Sequence, residues 1–312
     1  MRRVLLPVLL SAAVAASMVA ATPANAQPTD AALAQRWAPV HHQDTDSSDY
    51  DADYLSTVNY DGDWDAKNNW EHQDDDVSRL TGAVYFSVVE TRTHWFIVYS
   101  YFHPRDWDDN PFGSTHENDM EGAMLVVRRD GSQYGALEGM VTEAHTNFYS
   151  YVPQGSPLTD GRENIDGTIK MVNVDGVAHP STRQEAKGHG CYAWDGKDFP
   201  GGDGVVYYPR GRGEVPGGGD DADVSYRLVD TFADGGLWAR RADAQTYASF
   251  GTFVGDNGKD NAANTAWGWD DSDDGGDLPR GLMATDPAKL VNAYFDGTGD
   301  FALSYTRNGY RS

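Results

Sequence analysis

From residue 82 the chain alternates: Val84, Phe86 and Val88 are interleaved with Tyr85, Ser87 and Val89, the period-two pattern of a strand. Residues 94–102 form a near-continuous aromatic and β-branched run, which predicts a strand covered on both faces. Residues 121–129 read as another strand, closed by the turn Asp130-Gly131-Ser132. Segments 134–145, 148–152, 169–174, 204–208 and 224–228 are further strand candidates. Short strands separated by turn signals predict a mainly β fold, a β-sandwich with decorating loops and a few short helices. Two helices are expected. One spans residues 30–37; the other spans 286–295, with Pro287 near its start and Gly297 past its end. The glycine-rich stretches at 201–204, 211–219 and 270–277 read as long surface loops, and no internal repeat is visible.

The N-terminus breaks this pattern. Arg2 and Arg3 precede an apolar run from Val4 to about Val19, and Ala24-Asn25-Ala26 has the small-x-small form of a cleavage site. Residues 1–26 are therefore expected to be a signal peptide and residues 27–312 a single secreted, extracellular domain. No second long apolar run follows, so a membrane-spanning mature chain is not expected. Removing the signal makes the chain two units more negative than the full-length value of −24. A surface so acidic repels phosphate backbones, which argues against nucleic-acid binding, and it attracts metal cations. Acidity also simply keeps a secreted protein soluble. Cys191 is the only cysteine, so neither an intrachain disulfide nor a disulfide-linked oligomer is expected, and its bland reading is an inert thiol.

Candidate chemistry concentrates in His116-Glu117-Asn118-Asp119-Met120-Glu121. Hard divalent cations favour carboxylate oxygens, and a neutral imidazole can join them. On a strand, Asp119 and Glu121 share one face, and His116 can fold over from the preceding loop. The upstream loop Asp106-Trp107-Asp108-Asp109 leaves the strand expected at 94–102 and returns to His116, and the next strand pair ends at His145. A zinc-protease helix motif fails because Met120 stands where its second histidine must be. No Gly-x-Ser-x-Gly elbow and no phosphate-cradling glycine motif is present.

Other segments carry weaker signals. The acidic runs at 44–53 and 61–65 read as loops rich in oxygen donors; the second has the alternating acids and turn glycine of a calcium loop without its distal Glu, and a solvated turn is the expectation there, with calcium the alternative. His189 lies between glycines that permit close backbone approach, with a turn histidine as the alternative. His41-His42 is expected to be an exposed pair and His94 to pack in a strand. Trp95, Trp107, Trp194, Trp238, Trp267 and Trp269 include potential sugar-stacking platforms, with Trp267-Gly268-Trp269 expected to be the most exposed pair.

The run from His94 to Phe102, then His103-Pro104-Arg105-Asp106, then His116-x-x-Asp119-x-Glu121 resembles the core of the necrosis- and ethylene-inducing-like cytolysins and of proteins related to vacuolar protein sorting protein 62. In the cytolysins a Gly-His-Arg-His-Asp-Trp-Glu heptapeptide closes the corresponding strand. Its first His, its Asp and its Glu match His116, Asp119 and Glu121; Thr115, Asn118 and Met120 depart from it. The family's upstream acid matches Asp108 best by spacing, with Asp106 the alternative, and its later strand-end histidine corresponds to His145. Residues 187–190 are similar to a Gly-x-His segment of the sorting-related group. The distance from Asp119 to His145 is shorter than in the cytolysins, and their disulfide cannot form here.

The resemblance implies a β-sandwich, a calcium or magnesium ion, and recognition of sphingolipid headgroup sugars. The expected metal ligands are thus Asp108, His116, Asp119, Glu121 and His145. Two functions follow. One is a secreted protein that binds a glycan or lipid headgroup through the cation, at or near a peripheral membrane surface. The other is a metal-dependent hydrolase of an extracellular polymer or lipid, with His145 or Glu117 as the base.

Overall fold

A computed structural model describes residues 27–108, 115–256, 263–273 and 276–312. The expected signal peptide lies outside them, as does Asp109 of the upstream loop. Helix α1, Asp30–Trp37, forms where the sequence places it, with the Thr29 side chain accepting from the Ala32 amide to cap its first turn. Strand β1, Val40–Asp44, follows, and then the short helix α2, Asn69–Gln73. The chain next lays down β2 (Ala83–Thr91), β3 (His94–Asp106), β4 (His116–Arg128), β5 (Ala136–Ala144) and β6 (Asn147–Val152). Shorter strands follow: β7 (Thr159–Asp160), β8 (Ile165–Thr168), β9 (Met171–Val174), β10 (Val177–Gln184), β11 (Cys191–Ala193), β12 (Gly204–Tyr208), β13 (Val224–Ser225), β14 (Arg227–Asp230), β15 (Tyr247–Ser249) and β16 (Thr252–Phe253). Helices α3, Leu282–Thr285, and α4, Pro287–Tyr294, precede β17 (Phe295–Asp296) and β18 (Tyr305–Arg307).

Two main sheets result, and the fold is the expected mainly β sandwich. The eight-stranded sheet runs β14-β2-β3-β4-β5-β6-β8, with β18 also on β2; the six-stranded sheet runs β11-β10-β1-β12-β13, with β9 on β10. Strands β2 to β6 are sequence neighbours paired antiparallel. The six-stranded sheet instead joins segments far apart in sequence and includes the parallel pairs β1–β10 and β12–β13.

The long run in β3 is buried from His94 through Arg105. One face meets α1 and the six-stranded sheet, where the Tyr99 hydroxyl donates to the Ala34 carbonyl and the Tyr101 hydroxyl bonds Thr182 of β10 at 2.9 Å. The other face meets C-terminal segments, with Phe96 against Phe301 and Phe102 edge-on to Phe253. A run apolar on both sides is the sequence signature of a strand buried on both sides.

Several boundaries differ from expectation. Residues 169–170 lie between β8 and β9, so the strand expected at 169–174 shortens to β9, and β8 before it was not expected. Residues 224–228 also divide, because β13 belongs to the six-stranded sheet and β14 to the eight-stranded one. Tyr226 is the crossing point, buried and tied through its hydroxyl to the Pro39 carbonyl. The His41-His42 pair is not exposed: it sits inside β1, a central strand, at 0% and 8% exposure. His41 stacks on Tyr101 with ring centroids 4.0 Å apart, so its imidazole is an inter-sheet packing surface. His94 packs as expected, fully buried and bonded to Glu138 at 3.1 Å. Trp267 and Trp269 are also buried, at 2% and 1%, rather than an exposed platform. No described helix is long and apolar enough to cross a membrane.

Candidate functional site

The site is a notch at one end of the eight-stranded sheet. Strand β5 stops at Ala144, and its last pair with β4 is Gly122–Glu143. Strand β4 runs on to His116, paired there only with β3. The space left beside residues 116–121 is a pocket of about 340 Å³. Asp106, His116, Asp119, Glu121, Glu143 and His145 line it, and Trp269 closes one wall. The Trp269 ring lies over Gly122, where a Cβ would come within 2.8 Å of the ring and 2.0 Å of the Tyr99 carbonyl oxygen, so only glycine fits.

Backbone irregularity brings these groups together. Strict alternation would put His116 on the face opposite Asp119 and Glu121. Asn118 between them has φ of 60°, and His116 reaches the same pocket. Asn118 is held there by its own side chain, which accepts from Asn69 at 2.6 Å and donates to the carbonyls of Ala66 and Val254. His116 is thus the first residue of β4, facing Asp106 of β3 with Nε2 3.4 Å from its carboxylate, rather than folding in from a loop.

His145 and Thr146 form the two-residue β5–β6 turn with φ of 53° and 75°. Hairpin turns of this kind favour Asn-Gly, and a β-branched residue at positive φ is strained. Two pocket carboxylates hold the turn: Glu121 accepts from the His145 amide and Glu143 from the Thr146 amide, each at 2.9 Å. Lys187 and His189 also have positive φ. Strain of this sort persists where surroundings over-determine it, and it gathers at functional sites.

The 185–190 segment, entering from β10, packs over the notch. Hypothetical Cβ atoms on Gly188 and Gly190 would lie 2.9 and 2.8 Å from the His145 ring, so the glycines permit close backbone approach to that imidazole. His145 Nε2 bonds Glu185 at 2.9 Å. His189 is fully buried between Asp119, 2.9 Å from Nδ1, and Asp53, 3.1 Å from Nε2. Burial opposes a charge on His189, but these two carboxylates outweigh it and lift its pKa to about 9. The neighbouring His103 stacks on it at 3.7 Å and is pushed well below the usual range by burial and by that neighbour's charge.

The pocket is crowded with negative charge. Burial first, then repulsion from Asp119, raises Asp106 to about 7. Burial raises Glu143 to about 8, and burial with repulsion from Glu143 and Asp119 raises Glu121 well above the carboxylate range. One carboxylate oxygen of Glu121 and one of Glu143 are buried without a hydrogen-bond partner among the described residues. An orphaned buried carboxylate oxygen is costly unless something else meets it. A divalent cation would be one group able to meet these oxygens.

Four of the five expected ligands therefore line one pocket: His116, Asp119, Glu121 and His145. Asp108 does not. Strand β3 ends at Asp106, which lines the notch, whereas Asp108 lies beyond the strand end and is exposed. Glu117 is also displaced from the expected role: it is buried away from the pocket, accepting from the amides of Trp70 and Asp256 at 3.1 Å. Glu143, Asp53 and Glu185 were not anticipated; Glu143 stands two residues before His145, and Asp53 ends the first acidic run. Cys191 is buried, and burial pushes its thiol pKa well above the usual range.

A second acidic group, Asp49, Asp51 and Asp74, brings three potential ligand atoms within 4.8 Å of one another and could hold a metal ion. No other group of three meets that compactness among the described residues. The compact group already has a cation: the Arg105 guanidinium pairs with Asp49 and lies 4.0 Å from Asp74, while Gln73 donates to Asp51 at 2.8 Å.

No family model matches the chain, and no curated protein matches it. Solved structures do. Necrosis and ethylene inducing protein 2 from the causal agent of cocoa's Witches Broom disease is 15% identical, with 73% of this chain and 85% of that one covered and a TM-score of 0.37. A structure described as a toxin fold for microbial attack and plant defense is 16% identical, covering 88% and 97%, with a TM-score of 0.39. NLPPya in complex with glucosamine is also 16% identical, with the same coverage and a TM-score of 0.38. Backbone likeness at these scores carries no argument about ligand or activity.

Proposed function

We propose that this is a secreted protein whose notch at the β3–β4–β5 end holds a divalent cation, calcium or magnesium, and through it binds hydroxyls of an extracellular glycan or a glycolipid headgroup. The observation that supports this most is the pair of buried, unpartnered carboxylate oxygens on Glu121 and Glu143 in an open pocket shared with Asp106, Asp119 and His116. Asp106, His116, Asp119 and Glu121 would hold the ion, with Asp106 in the place expected for Asp108. Oxygen donors with one imidazole suit a hard cation better than zinc or copper. The bound ion would supply a Lewis-acidic point for vicinal hydroxyls. His189 fixes the Asp119 carboxylate through its Nδ1 hydrogen bond, and the strained turn sets His145 at the rim. Anionic lipid surfaces are repelled by the acidic surface, so a neutral sugar headgroup is the favoured part of any membrane partner.

A hydrolase remains the second reading, favoured by one observation: His145, oriented by Glu185, stands at the pocket edge. Pairing with Glu185 raises its pKa, which favours the protonated ring and so the role of an acid over that of a base.

Titration calorimetry against neutral glycans and glycolipid headgroups, with calcium or with chelator, tests the proposal. Binding that requires the cation and is lost in Asp119→Ala is expected. Cation-independent binding at this pocket, or none, counts against it. Turnover of a polysaccharide library abolished by His145→Ala would shift the assignment to the hydrolase.

A further inference from the structure

The outer face of the six-stranded sheet carries a second pocket, of about 210 Å³, smaller than the sites that hold drug-sized ligands. In β1, His41 and Gln43 face the sandwich interior, so His42 and Asp44 face outward. Arg183 lies directly opposite His42 across the parallel β1–β10 pair and shares that face. Above them, the segment after β11 brings Trp194 flat against His42, with centroids 4.0 Å apart and planes 8° from parallel, and adds Phe199 at 6.2 Å. Lys170 covers Trp194 from 5.8 Å. A small apolar cluster separate from the main core, Val40, Val174 and Val206 with Phe199, anchors this layer.

The pocket's polar groups are uncommitted in a complementary way. His42 is only 8% exposed, yet its Nε2 is buried without a partner, and so is one carboxylate oxygen of Asp44. Burial lowers the His42 pKa to about 4, so its ring is neutral at physiological pH. Arg183 stacks on Tyr192 at 4.7 Å and also lines the pocket. The charges nearly cancel: Asp44, Asp195 and Asp198 against Arg183 and Lys197. Three acids disfavour an anion, and two bases disfavour a metal ion. What fits is a small neutral molecule that presents hydroxyls as both donors and acceptors and has an apolar face to lay on an aromatic ring.

We infer that this pocket is a second, cation-independent carbohydrate site that takes a single neutral hexopyranose ring. Asp44 and His42 would accept from ring hydroxyls, Arg183 would donate to them, and Phe199 would cover the apolar face. The site does not rest on the cation pocket. Its ligand would bind equally with or without calcium, and with both sites filled one glycan array could be held at two points.

The test is NMR on the ¹⁵N-labelled protein in EDTA, following the Trp194 indole N–H, assigned by its loss in Trp194→Phe. Methyl β-D-glucopyranoside, methyl α-D-mannopyranoside and methyl β-D-galactopyranoside are the probes. At least one should shift the signal saturably, with Kd of about 1 mM, unchanged when calcium replaces EDTA. Arg183→Gln and Phe199→Ala, each checked for native circular dichroism, should each weaken that binding about tenfold. The inference is overturned if no hexoside shifts the signal, if the shift needs calcium, if inorganic sulfate reproduces it, or if both folded variants bind as tightly as the parent.

Discussion

The two sheets differ in how they are made. The eight-stranded sheet takes β2 to β6 from one continuous stretch of chain, each strand paired with its predecessor. The six-stranded sheet gathers β1, β10, β11, β12 and β13 from across the chain, and its inner face is partly polar: His41 bonds Thr182 and Gln43, and Gln184 bonds His103. One sheet is held by apolar runs, the other by a buried hydrogen-bond network laid against them. Buried polar networks specify a structure only when each member finds its partner, so the second sheet depends on the first for register. The notch pocket takes its carboxylates from the first sheet and its cover, Glu185 and His189, from the segment that follows β10 of the second.

The sharpest way to break this comparison is at the inter-sheet ion pairs. His189→Ala removes the common partner of the buried Asp53 and Asp119 and should cost about 3–5 kcal/mol in urea unfolding. A loss below about 1 kcal/mol would mean that the cover is not structurally coupled to the notch. Within the first sheet, Gly122→Ala forces a methyl against the Tyr99 carbonyl and the Trp269 ring and should cost about 1–3 kcal/mol by the same measurement. Tyr101→Phe deletes one of the bonds that tie the sheets together, the one to Thr182, and should cost about 1 kcal/mol. At the small end, Asp74→Asn alters an exposed member of the Arg105 ion-pair group and should change stability by less than about 0.5 kcal/mol. It should leave calcium affinity, read by calorimetry, unchanged; a lost calcium isotherm would move the cation from the notch to that group.

The same contrast explains what the sequence made legible. Strands β2 to β6 carry alternation or unbroken apolar runs, and their pairing is local, so pattern and turn signals suffice. Strand β1 reads Val-His-His-Gln-Asp, β10 contains Pro180, and β11 has only three residues. None shows apolar alternation: inward positions of β1 and β10 are satisfied by hydrogen bonds to residues far off in sequence, His41 to Thr182, 141 positions on, and Gln184 to His103, 81 positions back, and β11 is too short to show a pattern. For this reason His41 and His42 read as an exposed pair. At the notch, the spacing of His116, Asp119 and Glu121 was visible because all three lie on one strand. The choice between Asp106 and Asp108 depended on where β3 ends, which spacing cannot decide. Glu143 and the Asp53–His189 pair depend on tertiary placement. The buried Trp267 and Trp269 show that an acidic neighbouring loop is a poor guide to aromatic exposure.

The most direct test of the cation account is the thermal midpoint as a function of pH, measured with chelator and with millimolar calcium. Asp106 and Glu143 have native pKa values raised to about 7 and about 8 from ordinary values of 3.8 and 4.5. In that window the native state binds more protons than the unfolded state, so stability falls as pH rises. His189, raised to about 9 from 6.5, acts in the same direction at the upper end. Below about pH 6.5 the buried neutral rings of His42 and His103 act in the opposite direction, so the chelated protein should lose stability between pH 6.5 and pH 8, where the raised groups act unopposed. Calcium should restore it at pH 8, by about 2.7 kcal/mol at a hundredfold excess over Kd, and do little at pH 5, where it must displace protons. A chelated protein equally stable at pH 6.5 and pH 8, and indifferent to calcium at pH 8, would contradict the account.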